Sequence, residues 1–267
     1  MTDQAAALRS VLDEIGNVVV AFSGGADSAL VAQFAHDVLG PERAHIVTAV
    51  SPSLAPSEHA DAAALAAERG WRWSTVETDE MLDAAYRRND SLRCYHCKDA
   101  LMDALEPIAR AEDATVVLGV NVDDLGEHRP GQRAAASRGA RFPMVEAGLT
   151  KVDVREISQQ IGLRTWDKPA AACLASRLPY GTPVTLGRLQ AVGQAEAALH
   201  ELGFPELRVR HEGDLARIEV PLDDLDRMLA MRQTVVEAVR AAGYQAVTVD
   251  LEGLRSGNLN ERLGAQG

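Results

Sequence analysis

Three groups of residues in this chain carry types and spacings suited to chemistry. The first is Ser23-Gly24-Gly25-Ala26-Asp27-Ser28, which follows an apolar run and opens an amphipathic stretch. Glycines let successive backbone N–H groups turn inward, and a helix N-terminus adds partial positive charge. Ser23 and Ser28 add hydroxyl donors, so the loop suits an anion such as pyrophosphate. It is not a Walker loop, because no Lys-Ser or Lys-Thr pair follows the glycines. A plain glycine turn is the alternative, but this hexapeptide between strand and helix is far more specific than a lone GxGxxG.

The second group is the cysteines. Cys94-Tyr95-His96-Cys97 is a CxxC, and Cys173 lies far downstream. Three thiolates with an open fourth position can hold three irons of a [4Fe–4S] cluster. Zinc, with His96 as a fourth ligand, and a set of unrelated buried thiols are the rivals. Cys173 sits in Lys168-Pro169-Ala170-Ala171-Ala172-Cys173-Leu174-Ala175-Ser176-Arg177-Leu178-Pro179-Tyr180-Gly181. If that stretch is helical, Arg177 lies one turn from Cys173 and can draw the thiol toward thiolate.

The third group is polar residues at element ends and edges. Arg208 and Arg210 alternate along a strand pattern, so their side chains share one face and can converge on a phosphate or carboxylate. Alone, such a pair is more often a solvated face. Asn121, Asp123 and Asp124 follow a strand at its carboxyl end, where open α/β sheets bind ligands, and a turn cluster is the plain alternative. Trp71, Trp73 and Trp166 read as packing residues, and Glu58 and His59 as the capped start of a helix.

The elements that position these groups alternate. Apolar strand patterns at Val18–Phe22, Ala44–Val50 and Thr115–Gly119, with a weaker one at Trp71–Val76, are separated by helical patterns at Ser28–Val38, Ser57–Arg69 and Lys98–Ala111. Gly40 and Gly70 stand where helix ends call for a left-handed residue. This rhythm predicts a doubly wound parallel sheet of the α/β class. Turn chemistry at Lys168-Pro169 and Pro179–Pro183 then marks a boundary, giving a first domain over 1–178 and a small α+β domain over 179–267. In the second, helices are expected at Thr185–Leu202 and Leu222–Ala241, with strands at Leu207–His211, Ala216–Val220 and Ala246–Leu251.

The chain has 267 residues, 46% hydrophobic and 25% charged, as expected of a globular protein. No stretch approaches the roughly eighteen apolar residues of a membrane span, and Met1-Thr2-Asp3-Gln4 lacks a signal-peptide start, so a cytoplasmic protein without membrane contact is expected. A net charge of −12 argues against nucleic acid as a partner.

The hexapeptide resembles the PP-loop of ATP pyrophosphatases, the group of NAD, GMP and asparagine synthetases and tRNA thiolases. With it, the Cys173–Gly181 block resembles the LarE family of ATP-dependent sulfur transferases. Gly119–Asp124 with His128–Gly131, Pro143–Val145 and Leu251–Asn260 agree. The resemblance implies ATP split to AMP and pyrophosphate, with Mg2+ on Asp27 and with Ser23, Gly24, Gly25, Ser28 and Asn121 in the ATP site. It implies sulfur insertion into pyridinium-3,5-biscarboxylic acid mononucleotide for the nickel-pincer nucleotide of lactate racemase. The substrate set would be Ser176, Arg177, Glu196, Arg208 and Arg210, which reverses the solvated-face reading of the two strand arginines. Catalysis would rest on Asp27, Cys173, Ser176 and Arg177, and a homo-oligomer would assemble through the smaller domain. Cys94, Cys97 and Cys173 correspond to members that hold a [4Fe–4S] cluster, whose extra sulfide is passed on. In single-cysteine members the equivalent of Cys173 gives up its own sulfur and becomes dehydroalanine. Competing expectations are a tRNA thiolase, an ammonia-using amide synthetase and a non-catalytic iron–sulfur sensor.

Overall fold

The computed structural model describes residues 3–126, 130–169 and 172–255. His128, Arg129, Ala170, Ala171 and the stretch 256–260 therefore lie outside the described residues. The chain forms two compact units, one of Met1–Ser51, Ser57–Asp83 and Leu92–Ala171, the other of Pro52–Pro56, Ala84–Ser91 and Ala172–Gly267.

The first unit runs α1 (Asp3–Ile15), β1 (Val18–Ala21), α2 (Ala26–Leu39), β2 (Ala44–Val50), α3 (Pro56–Arg69) and β3 (Trp73–Glu77). After α4 (Ala84–Arg87), which belongs to the second unit, come α5 (Arg93–Ala111), β4 (Thr115–Leu118), α6 (Pro130–Ser137), α7 (Pro143–Glu146) and α8 (Lys151–Gln160). The four strands are all parallel, in the order β3-β2-β1-β4. The expected doubly wound α/β sheet is present. Its central strand shows why: Val18 and Val20 join the core that α1, α2, α3 and α8 build on one face. Val19 points the other way, to Met102 and Leu105 of α5. Burying each such side chain stabilises the sheet by about 1.5–3 kcal/mol. Beyond β4 a single residue, Arg141, extends the sheet: its N–H donates to Val116 O at 2.9 Å and its carbonyl accepts from Leu118 N–H at 3.1 Å.

Several features differ from the sequence pattern. Helix α5 starts at Arg93, five residues before the expected Lys98, so the CxxC lies in its first turns. Strand β3 starts at Trp73 and leaves Trp71 buried before it. Helices α1 and α8 were not expected; α8 begins on a capping box in which Thr150 and Asp153 each satisfy the other's backbone N–H.

The second unit holds α9 (Leu186–Glu201), β5 (Arg208–Glu212), β6 (Leu215–Glu219), α10 (Leu225–Ala230), α11 (Arg232–Ala241) and β7 (Ala246–Val249). Its sheet is ordered β5-β6-β7, with β5 antiparallel and β7 parallel to β6. The helix expected over Leu222–Ala241 is divided into a 3-10 turn at Leu222–Asp224, then α10 and α11, which break at Met231. The short α4 segment is bound into this unit by Asn89. In a left-handed conformation (φ 57°), Asn89 donates Nδ2 to the carbonyls of Pro179 and Thr182, each at 2.8 Å, and accepts Gly181 N–H at 3.0 Å. An asparagine tolerates that backbone and supplies the donors the Pro179–Thr182 turn lacks.

Candidate active site

The chain turns from β1 into α2 through Ser23-Gly24-Gly25, with Gly24 at φ 78° where a side chain would strain the backbone. Ser28 Oγ knits the loop: it accepts Ser23 N–H at 3.2 Å, donates to Gly25 O at 3.1 Å, and lies 3.1 Å from Ser23 Oγ. Gly25 is the N-cap and makes no side-chain cap bond, so the first-turn N–H groups of α2, which have no intrahelical acceptor in any helix, are left as candidate anion donors. The strand order makes this a switch point, because the connections after β1 and β4 leave opposite ways from adjacent strands.

Gly119, just past β4, keeps the second wall close. A Cβ there would stand 2.5 Å from Ser28 N and 2.6 Å from Ser28 Cα, distances no side chain tolerates. Asn121, which follows, is buried and donates Nδ2 to Asp27 Oδ1 at 3.0 Å. The other oxygen of Asp27 accepts Lys151 Nζ at 2.5 Å. Asp123 and Asp124 build this wall: Asp124 Oδ2 accepts Asn121 N–H at 3.2 Å, and Asp123 Oδ2 accepts Lys151 N–H at 2.7 Å. Ser23, Gly24, Gly25, Asp27, Ser28 and Asn121 thus stand together in the first unit.

Lys168 braces the loop from below, donating Nζ to Gly24 O at 3.2 Å, Glu58 Oε2 at 2.8 Å and Asp61 Oδ2 at 2.7 Å. Burial disfavours its ammonium, but the bonds to Asp61 and Glu58 more than offset this and raise its pKa. Glu58, expected only to cap a helix, is therefore a charge partner of Lys168. Lys151 and Lys168 carry no periodic signal, and they reach their partners across 124 and 144 residues. The Thr150-x-x-Asp153 capping box was the one local clue, since it places Lys151 at the first position of a helix.

In the second unit, Cys173 is exposed and caps a 3-10 turn, Leu174–Arg177. The sequence sets Arg177 one helical turn from the thiol. In the structure its Nη1 donates to the carbonyls of Ala172 at 2.5 Å and Cys173 at 3.3 Å, while Nε and Nη2 form a two-pronged pair with Glu196 at 2.8 and 3.1 Å. The turn is too short for helical stacking, so the guanidinium braces the cysteine's main chain. Ser176 Oγ also donates to Cys173 O, at 2.7 Å. Glu196 accepts Val209 N–H at 2.9 Å as well, and Arg210 donates to Ser176 O at 3.0 Å, so one network joins the cysteine turn to β5. Arg208 is half-buried and donates to Arg255 O at 2.9 Å. Burial first, then the charges of Arg210 and Arg177, lower its pKa.

The oxygen donors at the phosphate loop fit the magnesium that the motif implies. Asp27 and two serine hydroxyls are hard oxygen ligands suited to Mg2+, and the Lys151 ammonium already stands on Asp27 as a stand-in cation. Cys94 and Cys97, three apart on α5, put accessible thiols on one helical face, and His96 Nδ1 faces Asp83 Oδ2 at 3.2 Å. Among the described residues no three His, Cys, Asp or Glu side chains gather into a metal-binding group. No helix among them is long and apolar enough to cross a membrane.

The NAD synthase family model matches residues 2–105, the part that holds the phosphate loop. The chain is 46% identical over 259 residues to an uncharacterized protein of Synechocystis sp., covering 96% of each. It is 25% identical over 240 residues to an uncharacterized protein of Methanocaldococcus jannaschii, covering 90% of this chain and 91% of that one. It is also 36% identical over 264 residues to the pyridinium-3,5-bisthiocarboxylic acid mononucleotide synthase of Lactiplantibacillus plantarum, covering 98% of this chain and 96% of that one. A phosphate loop of this construction and a likeness to that synthase along nearly the whole of both sequences place the chain in the LarE family of PP-loop, ATP-dependent sulfur transferases.

Proposed function

We propose that this enzyme adenylates the carboxylates of pyridinium-3,5-biscarboxylic acid mononucleotide and converts them to thiocarboxylates, for the nickel-pincer nucleotide. The observation that carries this is the Ser23–Ser28 loop with Asp27 set between Asn121 and Lys151, in a chain that matches the Lactiplantibacillus synthase over 98% of its length.

The first-turn N–H groups of α2 and the two serine hydroxyls hold the pyrophosphate portion of ATP. A substrate carboxylate oxygen attacks the α-phosphorus, the bond to the bridging oxygen breaks, and pyrophosphate leaves from the loop. Magnesium held at Asp27 would neutralise charge on that leaving group. A sulfur nucleophile then attacks the acyl carbon and AMP departs with the carboxylate oxygen. Arg208 is the anion contact for the substrate, because Arg177 and Arg210 are already bound to carboxylates. Ser176, Arg177, Glu196 and Arg210 hold the Cys173 turn and β5 beside it in fixed geometry.

Cys94, Cys97 and Cys173 are proposed to hold a [4Fe–4S] cluster, which when bound would supply a sulfide on its uncoordinated iron. A second reading rests on the exposure of Cys173: its own sulfur is donated, leaving dehydroalanine. We further propose a cytoplasmic homo-oligomer assembled through the second unit.

The test is anaerobic turnover with ATP and the pyridinium mononucleotide. Pyrophosphate release should require the substrate and disappear in folded Asp27→Ala. If the cluster supplies sulfur, Cys94→Ala, Cys97→Ala and Cys173→Ala should each lose iron and stop at or before one turnover. A loss of about 34 Da from the protein, with full activity in the Cys94→Ala/Cys97→Ala double variant, would establish donation from Cys173 instead.

A further inference from the structure

In the nucleotide loop, the carboxylate assigned to the metal is already neutralised. Asp27 Oδ2 accepts Lys151 Nζ at 2.5 Å and Oδ1 accepts Asn121 Nδ2 at 3.0 Å. The main chain and the ammonium of Lys151 differ in freedom. The main chain of Lys151 is fixed twice, by the Thr150–Asp153 capping box and by Asp123 Oδ2 on its own N–H at 2.7 Å. Its ammonium, by contrast, sits at the end of a four-carbon stem that is 35% exposed. A pair this open to water is weakly held, so a dication or a phosphate can compete for either partner. The first-turn donors of α2 border the same carboxylate, since Asp27 is the second residue of that helix.

We propose that Lys151 is a cation latch for the phosphate loop. In the empty loop its ammonium occupies the metal's place on Asp27. When magnesium and ATP arrive together, the ammonium leaves the carboxylate for a phosphate oxygen and the freed Asp27 takes the metal. This rests on the ATP assignment above and adds a positioning residue to it. The latch keeps the loop from collecting free dications, because a metal without a nucleotide gives the displaced ammonium no anion to move to. No charge is left uncompensated in either state, and no bond other than ionic contacts changes.

The experiment follows Mn2+ binding to nucleotide-free protein by electron paramagnetic resonance, with ATP binding measured separately in the presence of EDTA and in the presence of Mg2+. Lys151→Met should bind free Mn2+ about tenfold or more tighter than the wild type, since the competing ammonium is gone. The same variant should bind metal-free ATP about tenfold or more weaker, since a charged donor to phosphate is lost. Adding Asp27→Asn to Lys151→Met should abolish the gained Mn2+ binding. Should Lys151→Met melt, Lys151→Gln keeps a donor to Asp27 without the charge and gives the same readouts. A wild type that binds Mg–ATP alongside a variant with unchanged Mn2+ affinity would overturn the latch alone. A wild type that binds no Mg–ATP would overturn the ATP assignment and the latch with it.

Discussion

Glu219 lies directly across from Arg208 in the β5–β6 register, yet both of its carboxylate oxygens are held by Arg210, at 3.0 and 2.9 Å. Glu219 is fully buried and also accepts from Arg217 at 3.0 Å. The diagonal choice leaves Arg208 with a backbone carbonyl and no carboxylate among the described residues. Two arginines that alternate on one strand thus have different work.

Substitution should separate them. Arg208→Ala is expected to weaken the pyridinium mononucleotide by about ten- to a hundredfold while leaving ATP affinity and stability near wild type. Arg210→Ala takes the two-pronged partner from the buried Glu219 carboxylate and should cost about 3 kcal/mol of stability, read from urea unfolding. Equal stability losses in the two variants would show that Arg208 is structural as well.

Gly119→Ala should disable the phosphate loop without disturbing the core. Its Cβ would press 2.5 Å from Ser28 N, so the N-terminus of α2 must move away from β4. A shift of this kind misaligns the first-turn donors, and ATP affinity should fall by about tenfold or more. Calorimetry on Gly119→Ala, with the circular dichroism spectrum as control, checks it; unchanged affinity would mean the loop accommodates the methyl group.

The brace under the loop should limit stability at both ends of the pH range. Burial pushes the Asp61 carboxyl up, but hydrogen bonds from Lys168 and Arg164 outweigh it and hold the pKa below 3.8. Lys168, by its bonds to Asp61 and Glu58, is raised above 10.5. A depressed carboxyl gives stability that is complete above its unfolded pKa and lost as pH falls through the folded one. A raised ammonium gives stability complete below its unfolded pKa and lost as pH rises through the folded one. Denaturation midpoints should therefore decline below about pH 4 and again above about pH 10. Asp61→Asn should flatten the acid decline, and parallel curves for variant and wild type would remove Asp61 from it.

What the sequence disclosed follows from how locally each feature is encoded. Strand β2 was legible to the residue at Ala44–Val50, because a strand covered on both faces reads as a nearly continuous apolar run, interrupted here by His45 and Thr48. Helix α2 starts two residues before the expected Ser28, since Gly25 supplies no capping side chain to mark its start. Helix α5 starts five residues before the expected Lys98 because its first turn, Arg93 to His96, carries no apolar periodicity and follows no capping side chain. The phosphate loop was legible as a hexapeptide. Lys151, Lys168, Asp61 and Glu219 were not, because ion pairs formed across the fold leave no spacing behind. The roles of Arg177 and Arg210 turned on which carboxylate each guanidinium meets, and alternation along a strand says nothing of that.

The single-residue pairing of Arg141 beside β4 also bears on how copies of the chain can meet. It occupies the hydrogen-bonding edge that β4 would otherwise present, and the opposite edge strand, β3, spans five residues and ends on exposed Glu77. Neither border of the four-stranded sheet offers a long, flat, uncharged template, so strand-by-strand growth into aggregates is disfavoured at both. Self-association involving this unit would therefore proceed through side chains on helices and loops, where a point substitution can dissolve a contact without unravelling the sheet.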